Sequence, residues 1–188
     1  SVNCILGPTL SKGLALSLMT SPTGRCHTFD ECADGYVRSE GCGAIVMQRA
    51  ADVTVNRTRH HALVVGVGVA HDGRSASLTA PNGKAQERLI QSALIDAGME
   101  ASDMNYLEAH GTGTALGDPI EVGAVASVLR TASSSSATTL TMGSVKANIG
   151  HLEPAAGISG LIKAVLVLQH EQSPPNAELK VLNAKISD

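Results

Sequence analysis

The sequence predicts an α/β layered fold, in which helices pack on a sheet of short buried strands. Short apolar segments bounded by glycine or charge alternate with longer segments whose apolar residues recur with a helical period. Apolar residues make up 43% of the 188 residues, which is enough for one continuous core. Aromatic residues make up only 2%, so small and branched aliphatic side chains must build this core.

The first part of the chain is predicted to hold one helix and two strands. Residues 9–19 contain four leucines together with Lys12 and Ala15 and end at the turn sequence SPTG, which favours a helix. A polar surface loop is predicted from there to Gly35. Residues 42–47 (CGAIVM) and 62–70 (ALVVGVGVA) are short apolar runs bounded by glycine, charge or turn residues, and each predicts a buried strand.

Further helices and strands are predicted in the middle of the chain. Residues 84–97 have one apolar face and stop at Gly98, as a helix with a glycine C-cap does. A short strand is predicted over residues 104–108. Asp118-Pro119 then predicts an N-cap followed by proline at the first helical position, which opens a helix through Leu129.

The last part of the chain is predicted to contain a loop, a strand and a long helix. The Ser/Thr-rich residues 131–139 (TASSSSATT) predict a flexible surface loop. A strand near residues 140–143 and a final helix over residues 154–170 follow it. The alternation of strands and helices over the whole chain is what favours the α/β class.

Charge and composition exclude several classes of function. The formal charge of -3 and the pI near 6.1 leave no basic surface of the kind that binds nucleic acid. The longest apolar stretch, residues 158–168, is interrupted by Lys163 and is far shorter than the roughly 20 residues of a membrane span. The sequence begins at Ser1 without a basic and apolar leader, so we expect no signal peptide in it and leave targeting open.

Cysteine and histidine spacing argue against disulfides and metal. The cysteines are Cys4, Cys26, Cys32 and Cys42. They form no CxxC pair, so we expect free thiols and a cytoplasmic or other reducing intracellular compartment. His60-His61, His71-Asp72 and Glu108 with His110 lack the HExxH or CxxC spacing that places ligands on one face, and we expect no metal site. No GxGxxG or Walker lysine indicates a nucleotide site.

The segment from Glu108 to Glu121 (EAHGTGTALGDPIE) places His110 at the end of a predicted strand, before two Gly-Thr pairs. Glycines let the backbone approach a ligand closely, and the hydroxyls of Thr112 and Thr114 can donate or accept without adding charge. Strand ends in open α/β sheets are where ligands usually bind. On spacing alone, however, a single histidine before a glycine-rich turn is structural more often than catalytic.

The segment from Ser144 to Gly157 (SVKANIGHLEPAAG) places Lys146 and His151 in a glycine-containing loop just before an apolar helix. Such polar side chains are costly to bury unless they pair or act chemically. Taken alone, solvated loop residues are the better interpretation. Two loops in one chain that each carry a histidine flanked by glycine favour a shared site.

Together, the two segments resemble the two histidine-bearing signatures of β-ketoacyl synthases, in the right order and at the right separation. Residues 29–49 (FDECADGYVRSEGCGAIVMQR) resemble the loop and strand that precede them in polyketide-type ketosynthases. Residues 71–90 (HDGRSASLTAPNGKAQERLI) resemble a further stretch of that family. The forms HGTGT and GDPIE are more similar to polyketide synthases and type I fatty-acid synthases than to the discrete bacterial fatty-acid enzymes.

The resemblance implies a thiolase-like α/β/α/β/α fold of two similar halves. Residues 1–61 would end the first half, and residues 62–188 would form almost all of the second. It implies an acyltransferase that condenses an acyl thioester with a malonyl group held on the phosphopantetheine arm of an acyl carrier protein, with loss of carbon dioxide. No directly bound cofactor is implied, and the complete enzyme would be a homodimer.

The resemblance also implies roles for individual residues. His110 and His151 match the family's histidine pair, which hydrogen-bonds the thioester carbonyl as it gains negative charge. Lys146 and Glu121 match charged residues around the pair, where an ion pair would offset burial and orient the second histidine. The two threonines of HGTGT match positions that contact the phosphopantetheine arm. Imidazoles that donate to one oxygen should have their nearest nitrogens within about 6 Å of each other.

One part of the family pattern is missing from this sequence. The family nucleophile is a cysteine in a DTACSS-like motif on a sharp turn before a helix, and no such motif occurs here. None of the four cysteines has that setting, so we expect this chain alone to be inactive and to expose apolar faces. The alternative is a non-condensing ketosynthase-like scaffold or decarboxylase domain. The intact His110, Lys146 and His151 argue against it, and the residue at the nucleophile position would decide.

Overall fold

The computed structural model describes residues 1–56, 59–75, 77, 80–129 and 139–187. The helices are α1 (Pro8–Leu16), α2 (Ala50–Asn56), α3 (Gly83–Ala97), α4 (Gly117–Leu129), α5 (Lys146–Ile149), α6 (Ala156–His170) and α7 (Ala184–Ser187). The strands are β1 (Val2–Asn3), β2 (Gly41–Cys42), β3 (Tyr106–Glu108) and β4 (Thr141–Gly143). Within this part of the chain, no helix is long and apolar enough to cross a membrane.

The four predicted helices appear as α1, α3, α4 and α6, whereas α2, α5 and α7 were not predicted, and α5 lies in the segment predicted to be a loop. α3 begins after Asn82, whose side chain accepts a hydrogen bond from the Ala85 N–H, and ends at Gly98 in the left-handed region. The predicted glycine stop is therefore confirmed. α6 follows a short 3-10 turn, Glu153–Ala155, and covers almost the whole predicted final helix. The predicted loop at residues 131–139 lies outside the described residues, apart from Thr139.

Two predictions of buried strands, at residues 42–47 and 62–70, are wrong. Residues 42–47 contribute only Cys42, which pairs with Val2 in the antiparallel β1–β2 ladder. Residues 62–70 form no strand, because a strand needs a ladder partner and the described residues supply none. This segment lies instead against α3: a Cβ on Gly66 would come within 2.6 Å of the Ala97 backbone nitrogen. Its valines face outward, and Val69 is 94% exposed.

β3 and β4 pair in parallel, and the main core packs on them. Tyr106 is opposite Thr141 and Glu108 is opposite Gly143. The buried residues of this core come from α4, and they are Val125, Val128 and Leu129. Side chains of α3 and of both strands pack against them, including Ile90, Leu94, Leu107 and Met142. The α/β layering that the sequence predicts is thus present around this strand pair.

A buried ion pair fastens α6 to the strands. Lys163 Nζ lies 2.9 Å from Glu108 Oε2, and both side chains are nearly buried. Glu108 also accepts hydrogen bonds from the Tyr106 hydroxyl and the Val145 N–H, each at 2.5 Å. Lys163, which in the sequence only interrupts an apolar stretch, therefore has a structural function.

Asp30 holds the C-terminal segment against the predicted polar loop. Its carboxylate accepts the backbone N–H groups of Lys180 (2.7 Å), Val181 (2.9 Å) and Cys32 (2.9 Å). Burial by itself would raise the pKa of Asp30, but these N–H donors outweigh it and hold the pKa at about 2. The loop is therefore not a surface loop throughout, because Asp30 and Thr28 are buried.

We predict that Asp30→Asn destabilises the fold and releases the C-terminal segment. The folded pKa lies below the ordinary 3.8, so the ionised carboxylate stabilises the fold above that pH, and the contribution is lost as the pH falls through about 2. Thermal melting of wild type and variant against pH should show a gap that closes in acid. Asp34→Asn, at an exposed position of the same segment, is the matched control. A gap independent of pH would contradict the assignment.

Candidate active site

The two histidine-bearing loops start from neighbouring strand ends. His110 lies two residues after β3, and Lys146 lies three residues after β4. The strands are parallel, so both loops leave the same edge of the sheet. The ladder continues to Ala109, whose N–H donates to Gly143 O at 2.8 Å. Residues far apart in sequence are thereby brought to one place.

The imidazoles of His110 and His151 are direct neighbours. Their ring centroids are 5.4 Å apart, and the ring planes are nearly perpendicular at 85°. The Tyr36 ring lies on His151 with a centroid distance of 5.1 Å, so His151 is held between two rings. At this spacing, one small atom between the two histidines can be within hydrogen-bonding distance of both.

The tautomer of His151 is set by the backbone. The Glu153 N–H donates to Nδ1 of His151 at 2.9 Å. Nδ1 must then accept, so in the neutral ring the proton resides on Nε2. His151 is thus arranged as a hydrogen-bond donor through Nε2.

Burial and a nearby cation keep both histidines uncharged. Burial first, and then the positive charge of Lys146, lower the pKa of His110 and of His151 to about 4. Part of His110 is nevertheless exposed, so solvent screens some of this effect there. Both rings are neutral at physiological pH, which is the state in which each has one donor and one acceptor nitrogen.

Asp118 organises the glycine-rich loop and does not cap α4. It lies inside the helix and is 1% exposed, so the predicted N-cap is wrong. Thr114 takes that place, since its Oγ1 accepts the Gly117 N–H at 3.2 Å. The Asp118 carboxylate accepts from the N–H groups of Phe29 (2.9 Å), Gly113 (3.2 Å) and Thr114 (3.4 Å). Sequence spacing detected the carboxylate but not its partners.

Glu121 supports the backbone of His110. Its two carboxylate oxygens accept the N–H groups of His110 at 2.6 Å and Gly111 at 2.9 Å. The expected ion pair with Lys146 is not formed, because no salt bridge joins the two in the described part of the chain. Glu121 still acts on Lys146 through its charge. Burial lowers the pKa of Lys146, and Glu121 is the strongest influence that opposes this.

The two threonines lie within a tightly packed turn. Thr112 is buried, and its hydroxyl lies 3.3 Å from that of Thr114, which is partly exposed. Gly113 has a φ of 76°, and a Cβ there would come within 2.8 Å of the His27 backbone nitrogen. The buried Thr28 hydroxyl donates to Gly111 O at 2.7 Å. The segment around Thr28 therefore belongs to the site, although its polar sequence predicted only a surface loop.

A cavity of about 420 Å³ opens on one side of Lys146. Cys26, Arg38, Ser39 and Gly150 are among its lining residues, and the two histidines are not. The cavity is therefore separate from the space between the imidazoles. Burial raises the pKa of the Cys26 thiol, so this cysteine is not activated as a nucleophile.

The other cysteines are also unpaired. Cys4, Cys32 and Cys42 are exposed free thiols. Among the residues that the structure describes, no group of three or more His, Cys, Asp or Glu side chains is arranged to hold a metal ion.

Comparisons with known proteins identify similar chains. The family profile "Beta-ketoacyl synthase, C-terminal domain" matches residues 61–180, and "Beta-ketoacyl synthase, N-terminal domain" matches residues 1–53. The chain is 46% identical over 185 residues to one of the phenolphthiocerol/phthiocerol polyketide synthase proteins of Mycobacterium tuberculosis, covering 98% of this chain and 10% of that protein. It is also 46% identical over 187 residues to 6-methylsalicylic acid synthase of Aspergillus niger, covering 99% and 10%.

Solved structures give the same picture. The ketosynthase from module 6 of the bacillaene synthase from Bacillus subtilis 168 superposes with a TM-score of 0.93 at 34% identity, covering 98% of this chain and 33% of that chain. An oxazolomycin ketosynthase domain from Streptomyces albus superposes with a TM-score of 0.93 at 37% identity, covering 98% and 32%. The chain thus spans about a tenth of the curated relatives and about a third of the solved domains.

We predict that neither His110 nor His151 titrates between pH 8 and pH 5. Their folded pKa values of about 4 lie below the ordinary 6.5, so the folded chain takes up fewer protons than the unfolded chain as the pH falls through this window, and stability decreases with it. NMR spectra of ¹⁵N-histidine-labelled protein would follow both rings. The variants His110→Gln and His151→Gln would identify the two signals. A midpoint near 6.5 for either ring would contradict the prediction.

Proposed function

The chain belongs to the β-ketoacyl synthase family, and from that premise we propose that it carries the decarboxylation site of a condensing ketosynthase of the polyketide or type I fatty-acid synthase kind. Its fold is the thiolase-like α/β fold of the ketosynthase domains that it matches. Residues 1–61 would end the first half of that fold, and residues 62–188 would form most of the second.

The proposed reaction creates a negative charge on one oxygen atom, which the site would stabilise. In a malonyl thioester, the bond between the α-carbon and the carboxylate breaks, carbon dioxide leaves, and the electron pair moves onto the thioester oxygen as an enolate. The enolate carbon then attacks the acyl thioester, a carbon–carbon bond forms, and the bond from the acyl carbon to the cysteine sulfur breaks. The protein must therefore stabilise one oxygen that becomes negative.

The observation that carries the proposal is the adjacency of two neutral imidazoles, whose ring centroids are 5.4 Å apart. In one of them, His151, the donor nitrogen is fixed as Nε2. A preorganised donor at a developing oxyanion is commonly worth about 3 kcal/mol. Neutral rings fit this function, since an imidazolium would transfer its proton more readily and would bind the anionic substrate tightly before reaction. His110 and His151 would thus be the catalytic residues of the decarboxylation step.

Lys146 would act on the same step through its charge. It is 4% exposed, and its positive charge lowers the pKa of both histidines, which supports this assignment. A cation in a poorly solvated site favours a developing negative charge. Glu121 would have a supporting function, because it holds the His110 backbone in place.

The substrates would reach the site on a carrier. Malonyl and acyl thioesters on the phosphopantetheine arm of an acyl carrier protein domain fit the family, with Thr112 and Thr114 as the contacts of the arm. Of the two, Thr114 is the more accessible. A homodimer and a reducing cytoplasmic compartment belong to the same proposal, and the free cysteines support the reducing compartment.

We predict that His110→Ala and His151→Ala each slow malonyl decarboxylation by about two to three powers of ten, and acyl loading much less, because each removes an oxyanion donor. Lys146→Ala should affect the same step. The assay would follow carbon dioxide release and loading separately in the whole protein that contains this chain. His170→Ala, at the exposed end of α6, is the matched control. Slower loading with unchanged decarboxylation would refute the assignment.

We also predict that the 188-residue chain by itself accepts no acyl group. Its buried thiol, Cys26, has a raised pKa, and no cysteine in the sequence has the strand–turn–helix setting that activates a nucleophile. Incubation with an acyl thioester followed by intact-protein mass spectrometry should show no stoichiometric adduct. Cys26→Ser and Cys4→Ser serve as controls for low-level labelling. Stoichiometric acylation at any of the four cysteines would disprove this.

A further inference from the structure

The residue that fixes the tautomer of His151 has an unusual backbone. Glu153 has a φ of 46°, in the left-handed region that a residue with a side chain seldom adopts. Such a conformation is strained and persists only where surrounding contacts hold it. The hydrogen bond from the Glu153 N–H to His151 therefore depends on whatever holds Glu153.

Arg38 provides a two-point contact with the Glu153 side chain. Its Nε lies 2.6 Å from Oε1 and its Nη2 lies 3.1 Å from Oε2, so the guanidinium and carboxylate meet fork to fork. The third nitrogen, Nη1, donates to the Ser11 hydroxyl at 2.7 Å, which ties the group to α1. The Arg38 side chain is only 8% exposed, and that of Glu153 is 21% exposed. A pair this shielded is screened far less by solvent than an ordinary surface ion pair.

The same segment also holds the backbone of His151. The His151 N–H donates to Val37 O at 2.7 Å, and the Ser39 N–H donates to His151 O at 3.0 Å. Arg38 thus lies directly opposite His151 in a parallel bridge. The segment 37–39 therefore holds the backbone of the histidine, and the Arg38 side chain within it contacts the residue whose N–H donates to the ring.

We propose that Arg38 is a positioning residue for His151: its ion pair with Glu153 holds the backbone N–H that keeps the His151 proton on Nε2. The inference rests on the proposed function of His151 as an oxyanion donor. Without the clamp, Glu153 can relax from its left-handed conformation, and Nδ1 loses its donor. The ring then populates both tautomers and more than one orientation.

The test combines a spectroscopic signature with kinetics in the whole protein that contains this chain. With ¹⁵N-labelled histidine, the wild-type His151 signals should show a protonated Nε2 and an unprotonated Nδ1. Arg38→Met should give a mixture of tautomers, with decarboxylation slowed about tenfold to a hundredfold and acyl loading unchanged. Arg38→Lys keeps the charge but loses the two-point contact. Its tautomer mixture and its decarboxylation rate should therefore lie between those of wild type and Arg38→Met.

The matched control is Arg49→Met. Arg49 makes the same kind of two-point contact with Asp52, at 2.8 Å and 3.2 Å, but its side chain is 85% exposed. This variant should leave the His151 tautomer and both rates as in wild type. If Arg38→Met behaves like Arg49→Met, the proposal is overturned.

A second variant distinguishes loss of the ion pair from misfolding of Arg38→Met. Glu153→Gln keeps the shape of the side chain and weakens the clamp from the other side, so it should shift the tautomer in the same direction. The double variant should be no slower than the slower single one, because both changes break one contact. A folded Glu153→Gln protein with wild-type tautomer and rates would also overturn the proposal.

The control His151→Ala separates the two proposals. If it leaves decarboxylation intact, the function proposed for His151 fails, while the tautomer signature still decides whether Arg38 positions the ring. If His151→Ala slows decarboxylation and Arg38→Met does not, only the positioning function fails.

Discussion

The buried carboxylate of Glu108 joins the elements from which the site is built. It contacts β3 through Tyr106, α6 through Lys163 and the start of the Lys146 loop through the Val145 N–H. Removal of one partner from such a buried pair leaves an uncompensated charge and typically costs about 3–5 kcal/mol. The positions of both histidine loops relative to α6 depend on this one group, and the carboxylate itself has no part in the proposed chemistry.

The neighbouring carboxylates also hold other parts of the chain in place. Asp118 and Glu121 both point from α4 toward backbone N–H groups of the HGTGT loop, and Asp30 does the same for the C-terminal segment. The carboxylates of Asp30, Asp118 and Glu121 therefore hold backbone N–H groups in place. No carboxylate forms a salt bridge with Lys146 among the described residues, and its positive charge lowers the pKa of both histidines. Burial is the larger cause of this lowering, and the two effects together keep both imidazoles in the neutral form.

How much the sequence could predict depends on the range of the interactions involved. α3, α6, β3 and β4 were predictable because caps, apolar period and turn residues are local signals, as Asn82 and Gly98 illustrate. Residues 62–70 were not, because their apolar composition predicts burial but cannot supply a ladder partner. The two histidines could be singled out from their motifs. The partners of Asp118, the burial of Thr28 and the clamp on Glu153 could not, because each depends on contacts between residues far apart in the sequence.

The parallel pairing of β3 with β4 has a consequence for how such sites can vary during evolution. The distance between the imidazoles depends on the offsets from Glu108 to His110 and from Gly143 to His151, on the register of the two strands, and on the residue 37–39 backbone that holds His151. The number of residues between the two motifs is not one of the factors that determine this distance. One extra residue inside either offset would therefore move a donor. A search for related sites can therefore use these two offsets together with the parallel register of the strands.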